Sequence, residues 1–173
     1  MTAEHLVNPE VKQEAELAVD ELRLRSLADC APETYEGRGI ATYGAAVSEE
    51  VTQRRTASWL RYVQERITIG QTEAYGIYDD TNTLVGDVAV SGLRHRHPAM
   101  SYRLAADSRG RGYASRSVRA VAAHVFETYA GVEAIELVIH QDNAPSRRVA
   151  ERVGAQRQAT SEGVGWEMWR IAR

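Results

Sequence analysis

Between Ala99 and Tyr129 the hydrophobic period of the chain changes in mid-course. "AMSYRLAA" (Ala99 to Ala106) reads as a strand, and the apolar residues that follow recur at helical spacing. Ala114, Val118, Val121, Ala122, Val125 and Tyr129 fall on one stripe of a helix. At the junction stands "RGRGYAS", Arg109 to Ser115. Hairpin strands precede this helix and another strand follows it. A mixed sheet with helices on both faces is therefore the economical packing.

The rest of the chain extends this pattern. In "VDELRLRSL" (Val19 to Leu27), Leu22 and Leu24 face one way and Arg23 and Arg25 the other, which predicts a half-buried strand. Residues 1–18 are polar and charged and read as a tail or docking arm, leaving 19–173 as a single domain. Residues 29–69 read as helical. The best piece runs from Glu49 to Ile67, with Thr56, Leu60, Val63 and Ile67 on one face. "EAYGIYD" and "LVGDVAVSGL" are strands around the turn Asp79 to Asn82, and "RHRHP" is a polar break. "VEAIELVIH" reads as a buried strand. "DNAPSRRVAERVG" reads as a short helix capped by Asp142 or Asn143, with Pro145 in its first turn and Gly154 as its stop. "GWEMWRI" closes the chain as a strand. The predicted order is β, helices, β-β-β, α, β, α, β.

Composition narrows the function classes. The net charge is −3, so a general nucleic-acid binder is disfavoured and any anion binding must be local. Cys30 is the only cysteine, which rules out an intramolecular disulfide and fits a reducing compartment. The first ten residues lack the basic and apolar regions of a signal peptide. No apolar run approaches the ~20 residues of a membrane span. A cytoplasmic protein with no membrane partner is the expectation.

"RGRGYAS" itself reads three ways: a glycine-rich turn with solvated arginines, a scrap of RNA-binding tract, or an anion cradle. The first N–H groups of a helix lack intrahelical partners, and the helix dipole adds partial positive charge there. A glycine entry lets an anion approach the backbone closely. Gly110 and Gly112 stand where such a cradle belongs, with Arg109, Arg111 and Arg116 as mobile charge around it. The Gly-Lys-Ser/Thr ending of a nucleotide-binding P-loop and the third glycine of a dinucleotide-binding turn are both absent. The RNA reading predicts steeply salt-dependent affinity, and it is weakened by the acidic balance and the lack of a repeated RGG tract.

The run Arg109-Gly110-Arg111-Gly112-Tyr113-Ala114 resembles the Arg/Gln-x-x-Gly-x-Gly/Ala motif of the GCN5-related N-acetyltransferases. "HQDNAPSRRVAERVGAQ" resembles the Asn-x-x-Ser and following glycine of their ribosomal-protein N-acetyltransferase subfamily, with Asn143, Ser146 and Gly154 at the marked positions. "ELRLRSLAD" is similar to that subfamily's first strand, so the likeness spans Val19 to Ile171. The resemblance implies an α/β (α+β) fold. Its mixed, mostly antiparallel sheet would have about six to seven strands, splayed between the fourth and fifth, with helices on both faces. It implies acetyl-CoA as co-substrate and no metal. The pyrophosphate would rest on the N–H groups of Gly110, Arg111, Gly112, Tyr113, Ala114 and Ser115, with Arg109 beside it. The pantetheine arm would pair with main-chain groups near Leu104 and reach Asn143 and Ser146. It also implies a small-molecule or peptide amine as acceptor, and the family's frequent dimerisation carries over as an expected homodimer.

Acetyl transfer needs a base for the amine, a donor for the oxyanion and a proton for the departing thiolate. Many relatives place an acidic tyrosine in the last helix, where this chain has Ala150. Ser146 matches the serine that the subfamily uses instead, and it also fits a first-turn serine bonded to backbone. The glutamate often found on the fourth strand is replaced by Ala99. His140, His97, His95, Asp87 and Glu167 remain as base candidates. His140 ends a strand just before Asn143, and it also fits a strand-end histidine bonded to a carbonyl. His95 and His97 fall in a predicted hairpin loop, and Cys30 reads as structural. Trp59, Tyr62, Trp166 and Trp169 are either core or acceptor-pocket residues. Against the enzyme stands one reading of another class, a non-catalytic acyl-CoA-binding or regulatory module.

Overall fold

A computed structural model describes residues 16–38, 40, 49–158 and 165–173. Its strands are β1 (Glu16–Val19), β2 (Leu22–Ser26), β3 (Thr72–Tyr78), β4 (Leu84–Ser91), β5 (Ala99–Leu104), β6 (Ala134–His140), β7 (Gln156–Arg157) and β8 (Trp166–Ala172). Its α-helices are α1 (Glu49–Thr68), α2 (Tyr113–Thr128) and α3 (Ala144–Arg152), and short 3-10 turns cover Pro32–Tyr35 and Ala106–Ser108. The strands form one sheet in the order β1-β2-β3-β4-β5-β6-β8-β7. Neighbours are antiparallel except β5 and β6, which run parallel.

The two faces of the sheet follow from period-two alternation. Tyr75, Ile77, Val88 and Val90 pack with Val118, Val121 and Val125 of α2 and with Ala150 of α3. Ala74 and Ala89, one residue out of phase, pack with Leu60 and Val63 of α1. β4 lies between both helical layers, and all of its residues but Ser91 are buried. The predicted stripe of α2 is buried at every position from Ala114 to Tyr129, and Thr56, Leu60 and Val63 of the α1 stripe are buried as well. The α1 side of β6 and β8 is barer: Val138 is 55% exposed and Trp166 is 52% exposed.

Three elements differ from the sequence expectation. The single strand Val19–Leu27 is instead a hairpin that turns at Asp20 and Glu21, so the sheet takes in Glu16, Leu17 and Ala18 from the expected tail. Asp20 adopts a φ of 51°, which a short polar side chain tolerates, and Arg25 Nε binds Glu16 Oε2 across the hairpin at 2.9 Å. The two-residue β7 is an addition too short to show a period. Together they raise the strand number to eight, and the expected fourth and fifth strands are β5 and β6. Within 29–69, α1 covers Glu49–Thr68 as the best piece predicts, and the described part before it holds a 3-10 turn led by Pro32. Residues 1–15, 39, 41–48 and 159–164 lie outside the described residues.

Candidate active site

β5 and β6 are joined at one register pair, Ala99 with Glu136, and diverge beyond it. Ala105 N–H donates to Val85 O at 2.9 Å, and antiparallel bonding alternates from there along the strand. Met100, Tyr102 and Leu104 therefore turn their N–H and C=O groups away from β4 and toward β6. By the same alternation, Gln141 N–H to Gly165 O at 2.8 Å places the backbone groups of Glu136, Val138 and His140 on the β5 side. Glu136 N–H still reaches Pro98 O at 2.9 Å, and past that bond the two edges separate. The parallel strands open toward their carboxyl ends, so α2 and α3, which follow β5 and β6, both start at the wide end of the opening.

The start of α2 is shaped by its glycines. Gly110 and Gly112 have φ of 78° and 77°, a left-handed geometry that glycine adopts without strain. A Cβ built on Gly110 meets nothing within 4 Å, so the backbone there faces open space. Gly112 is the N-cap and supplies no capping side chain. The first helical bond is Arg116 N–H to Gly112 O at 3.1 Å, leaving the N–H groups of Tyr113, Ala114 and Ser115 ahead of the ladder. Tyr113 and Ala114 bury their side chains, and the Ser115 hydroxyl folds back onto Gly112 O at 3.0 Å. What this end presents outward is backbone.

The arginines around it are not equivalent. Arg109 and Arg111 are exposed, and Arg109 Nη2 reaches Leu104 O at 3.5 Å. Arg116 is clamped rather than mobile, which corrects the expectation. Its guanidinium binds Glu21 Oε1 at 2.6 Å, lies 3.6 Å from Asp20 Oδ2, and donates to Arg111 O at 3.3 Å. The acidic hairpin turn compensates a cation held in the first turn of a helix, where the dipole disfavours it. In doing so it ties the glycine loop to β1 and β2.

At the start of α3, Asn143 Oδ1 accepts Ser146 N–H at 3.2 Å, so Asn143 is the cap. Tyr102, which the sequence reading passed over, reaches from β5 to the same turn, and its hydroxyl donates to Ser146 O at 3.3 Å. Burial raises the Tyr102 phenol above its ordinary value, partly offset by the side chain of Ser146. Strand alternation in "SYRL" places Tyr102 on the Met100 face. Nothing in the sequence measures its reach to a residue 44 positions away.

The base candidates separate clearly. His140, on the bare side of β6, stacks edge-on against Trp166 with ring centroids 5.1 Å apart. Its Nδ1 accepts Asp142 N–H at 3.3 Å, which assigns the hydrogen of the neutral ring to Nε2. Asp87 is buried under a bidentate Arg103, at 2.9 and 2.6 Å, and Arg103 lies 3.9 Å above the Trp59 ring. Burial pushes the Asp87 carboxyl up, against the pull of Arg103. Glu167 is buried on the opposite face, where it accepts Trp169 Nε1–H at 3.1 Å and pairs with Arg157 at 3.3 Å. His95 lies exposed in the β4–β5 connection, and His97 sits before β5, 3.9 Å from Glu136 Oε1. The opening thus has His140 and Ser146 at its edges, while Asp87 and Glu167 are held by arginines. Trp59 is half-buried, Tyr62 and Trp166 are exposed, and Trp169 is core.

A separate cavity of ≈ 580 Å³ lies between the Pro32–Tyr35 turn and α1, lined by Tyr35, Ile40, Thr56 and Ala57 among others. None of its lining residues belongs to β5, β6 or the glycine loop. Among the described residues no cluster of three His, Cys, Asp or Glu side chains could hold a metal, and no helix is long and apolar enough to cross a membrane.

Residues 21–156 match the acetyltransferase (GNAT) domain family. No curated protein matches the chain by sequence. Among solved structures, a Vibrio cholerae protein assigned as a ribosomal-protein-serine acetyltransferase superposes with a TM-score of 0.75 at 19% identity, covering 94% of this chain and 100% of that one. RimL, a ribosomal L7/L12 alpha-N-protein acetyltransferase in complex with coenzyme A, gives 0.69 at 15% identity, covering 91% and 97%. Mycobacterium smegmatis RimJ in complex with a CoA-disulfide gives 0.67 at 18% identity, covering 91% and 85%. At these identities the likeness is one of fold.

Proposed function

Because this chain belongs to the acetyltransferase (GNAT) domain family, we propose that it moves an acetyl group from acetyl-CoA to a primary amine by direct attack on the thioester, and that the β5–β6 opening is where it does so. The observation that carries the reading is the parting of two parallel strands with a glycine-entered helix N-terminus at its wide end. The outward N–H groups from Gly110 to Ser115 suit a pyrophosphate, with the exposed Arg109 and Arg111 beside it. The backbone groups of Tyr102 and Leu104 face the opening as those of an unpaired strand edge would. They suit the amide groups of a pantetheine arm, which would lie there as an added strand. Asn143, while capping α3, still has its side-chain N–H₂ to donate toward the arm.

In this reading Ser146 lies at the thioester end and its hydroxyl is a hydrogen-bond donor for the departing sulfur. His140 takes the amine's proton directly or through water. Its Nδ1 is the nitrogen that accepts a proton in the assigned tautomer, so the ring must release Asp142 N–H to act. The acceptor is a protein N-terminal amine or a small-molecule amine.

The test is calorimetry with CoA followed by release of free thiol from acetyl-CoA in the presence of an amine panel. Saturable binding and thiol release that depends on one amine class are the expected results. Binding with no turnover on any amine would leave a non-catalytic acyl-CoA-binding module, and absence of CoA binding would overturn the site.

A further inference from the structure

Tyr102 spans the opening from β5 to the first turn of α3. Its ring packs beside the main core, which includes Ala150 of α3, so its direction is set by packing. Its hydroxyl rests on Ser146 O at 3.3 Å, a neutral hydrogen bond longer than the usual O–H···O range, at a half-buried site. A phenol so placed can re-aim toward a new acceptor in the opening at the loss of one modest bond.

An extended arm that starts on the α2 N-terminus and follows the free edge of β5 passes Leu104 first. It reaches Tyr102 about 7 Å further on, two residues along a strand. Beyond lies the narrowing toward Ala99 and Glu136, where the strands rejoin. The reacting end of such an arm therefore comes to the level of Tyr102 and Ser146.

We propose that the Tyr102 hydroxyl is the proton donor to the departing thiolate, working beside Ser146 across the opening. This rests on the acetyltransferase reading above. The amine nitrogen attacks the thioester carbonyl carbon. The C–S bond then breaks with its electron pair going to sulfur, and the Tyr102 O–H proton passes to that sulfur. The proton that the amine gives to His140 returns to the phenolate through water, so the balance is amine plus thioester to amide plus thiol. Burial favours the neutral phenol, which keeps the donor loaded until sulfur leaves.

The experiment uses the full chain with acetyl-CoA and the amine it turns over, comparing wild type, Tyr102→Phe and a protein carrying 3-fluorotyrosine at position 102. Phe keeps the ring and its packing. The expected result is a fall in kcat of about 10²-fold with CoA affinity held within about threefold. The fluorinated, more acidic phenol is expected to move the alkaline limb of the kcat profile to lower pH. Wild-type kcat in Tyr102→Phe, a parallel loss of CoA affinity and rate, or an unmoved alkaline limb would each overturn the proposal. If wild type itself binds CoA but acetylates nothing, the acetyltransferase reading fails and the proposal with it, an outcome distinguished by the inactive parent.

Discussion

Ala99 and Glu136 form the one register pair that holds β5 to β6. On either side of this seam the sheet is fully laddered: six register pairs join β4 to β5, and seven join β6 to β8. Two well-paired half-sheets meeting at one point make a rigid wedge, and rigidity on both sides keeps the opening from closing by strand pairing.

Gly86 guards one wall of that wedge. A Cβ added there would stand 2.2 Å from Arg103 O and 2.6 Å from Leu104 Cδ2, so β5 must shift outward to admit it. Gly86→Ala is expected to lose about 2–3 kcal/mol of stability in urea unfolding. It is also expected to weaken CoA binding, because the displaced edge is the one that faces the opening. Unchanged stability and affinity would show that β5 is free to slide.

Gly112 has room for a side chain but a φ of 77°. Gly112→Val is therefore expected to strain or rebuild the loop at a cost of about 1–2 kcal/mol. CoA affinity should fall more than tenfold in calorimetry, with the circular-dichroism spectrum retained. Full affinity in the variant would remove the anion cradle from the site.

Arg103 and Asp87 should behave as one unit. Arg103→Ala leaves a buried carboxyl without its partner and is expected to cost about 3–5 kcal/mol. The double variant Asp87→Asn/Arg103→Met should recover most of that loss. A double-mutant cycle in chemical denaturation measures the coupling. If the double variant also keeps the acetyl-transfer rate, Asp87 has no part in proton transfer.

Ser146 and His140 are expected to separate chemistry from binding. Ser146→Ala and His140→Gln should each lower kcat while leaving the CoA dissociation constant close to wild type. A rate unaffected in both would leave sulfur departing and amine deprotonating through other groups.

Asp79 offers a pH test of the β3–β4 turn. Partial burial opposes its ionised form, but Thr81 N–H, Thr81 Oγ1–H and Thr83 N–H, at 3.0, 2.7 and 2.9 Å, hold its carboxyl below the ordinary 3.8. A lowered carboxyl contributes stability above its unfolded value and loses it as pH falls through the folded one. Asp79→Ala should thus cost about 1 kcal/mol at neutral pH, and the gap should narrow as pH drops below 3.8. A gap that stays constant into acid would mean that the ionised form contributes nothing.

Where residues are read by their immediate neighbours, the sequence was a sufficient guide. The α2 stripe, a cap at Asp142 or Asn143 and the glycine entry at Gly110 and Gly112 are all local. Helix periodicity, capping and glycine's conformational range act within a few positions. The hairpin at Asp20 was missed because its two-residue turn, Asp20-Glu21, carries no glycine or proline to mark it, and the alternation of Leu22 and Leu24 begins directly after it. The two-residue β7 carries too little pattern to be read.

The sequence by itself determined the order of the six longer strands and the helices, the apolar face of each long element and the glycine entry to α2. These follow from backbone sterics and side-chain spacing along one chain segment. Tertiary structure alone decided which polar side chains are paired. Arg116 is bound to Glu21, 95 residues away, Arg103 to Asp87 across two strands, and the Tyr102 hydroxyl to the first turn of α3. Such partners meet only when sheet register and helix packing bring distant segments together, and no local pattern encodes that distance.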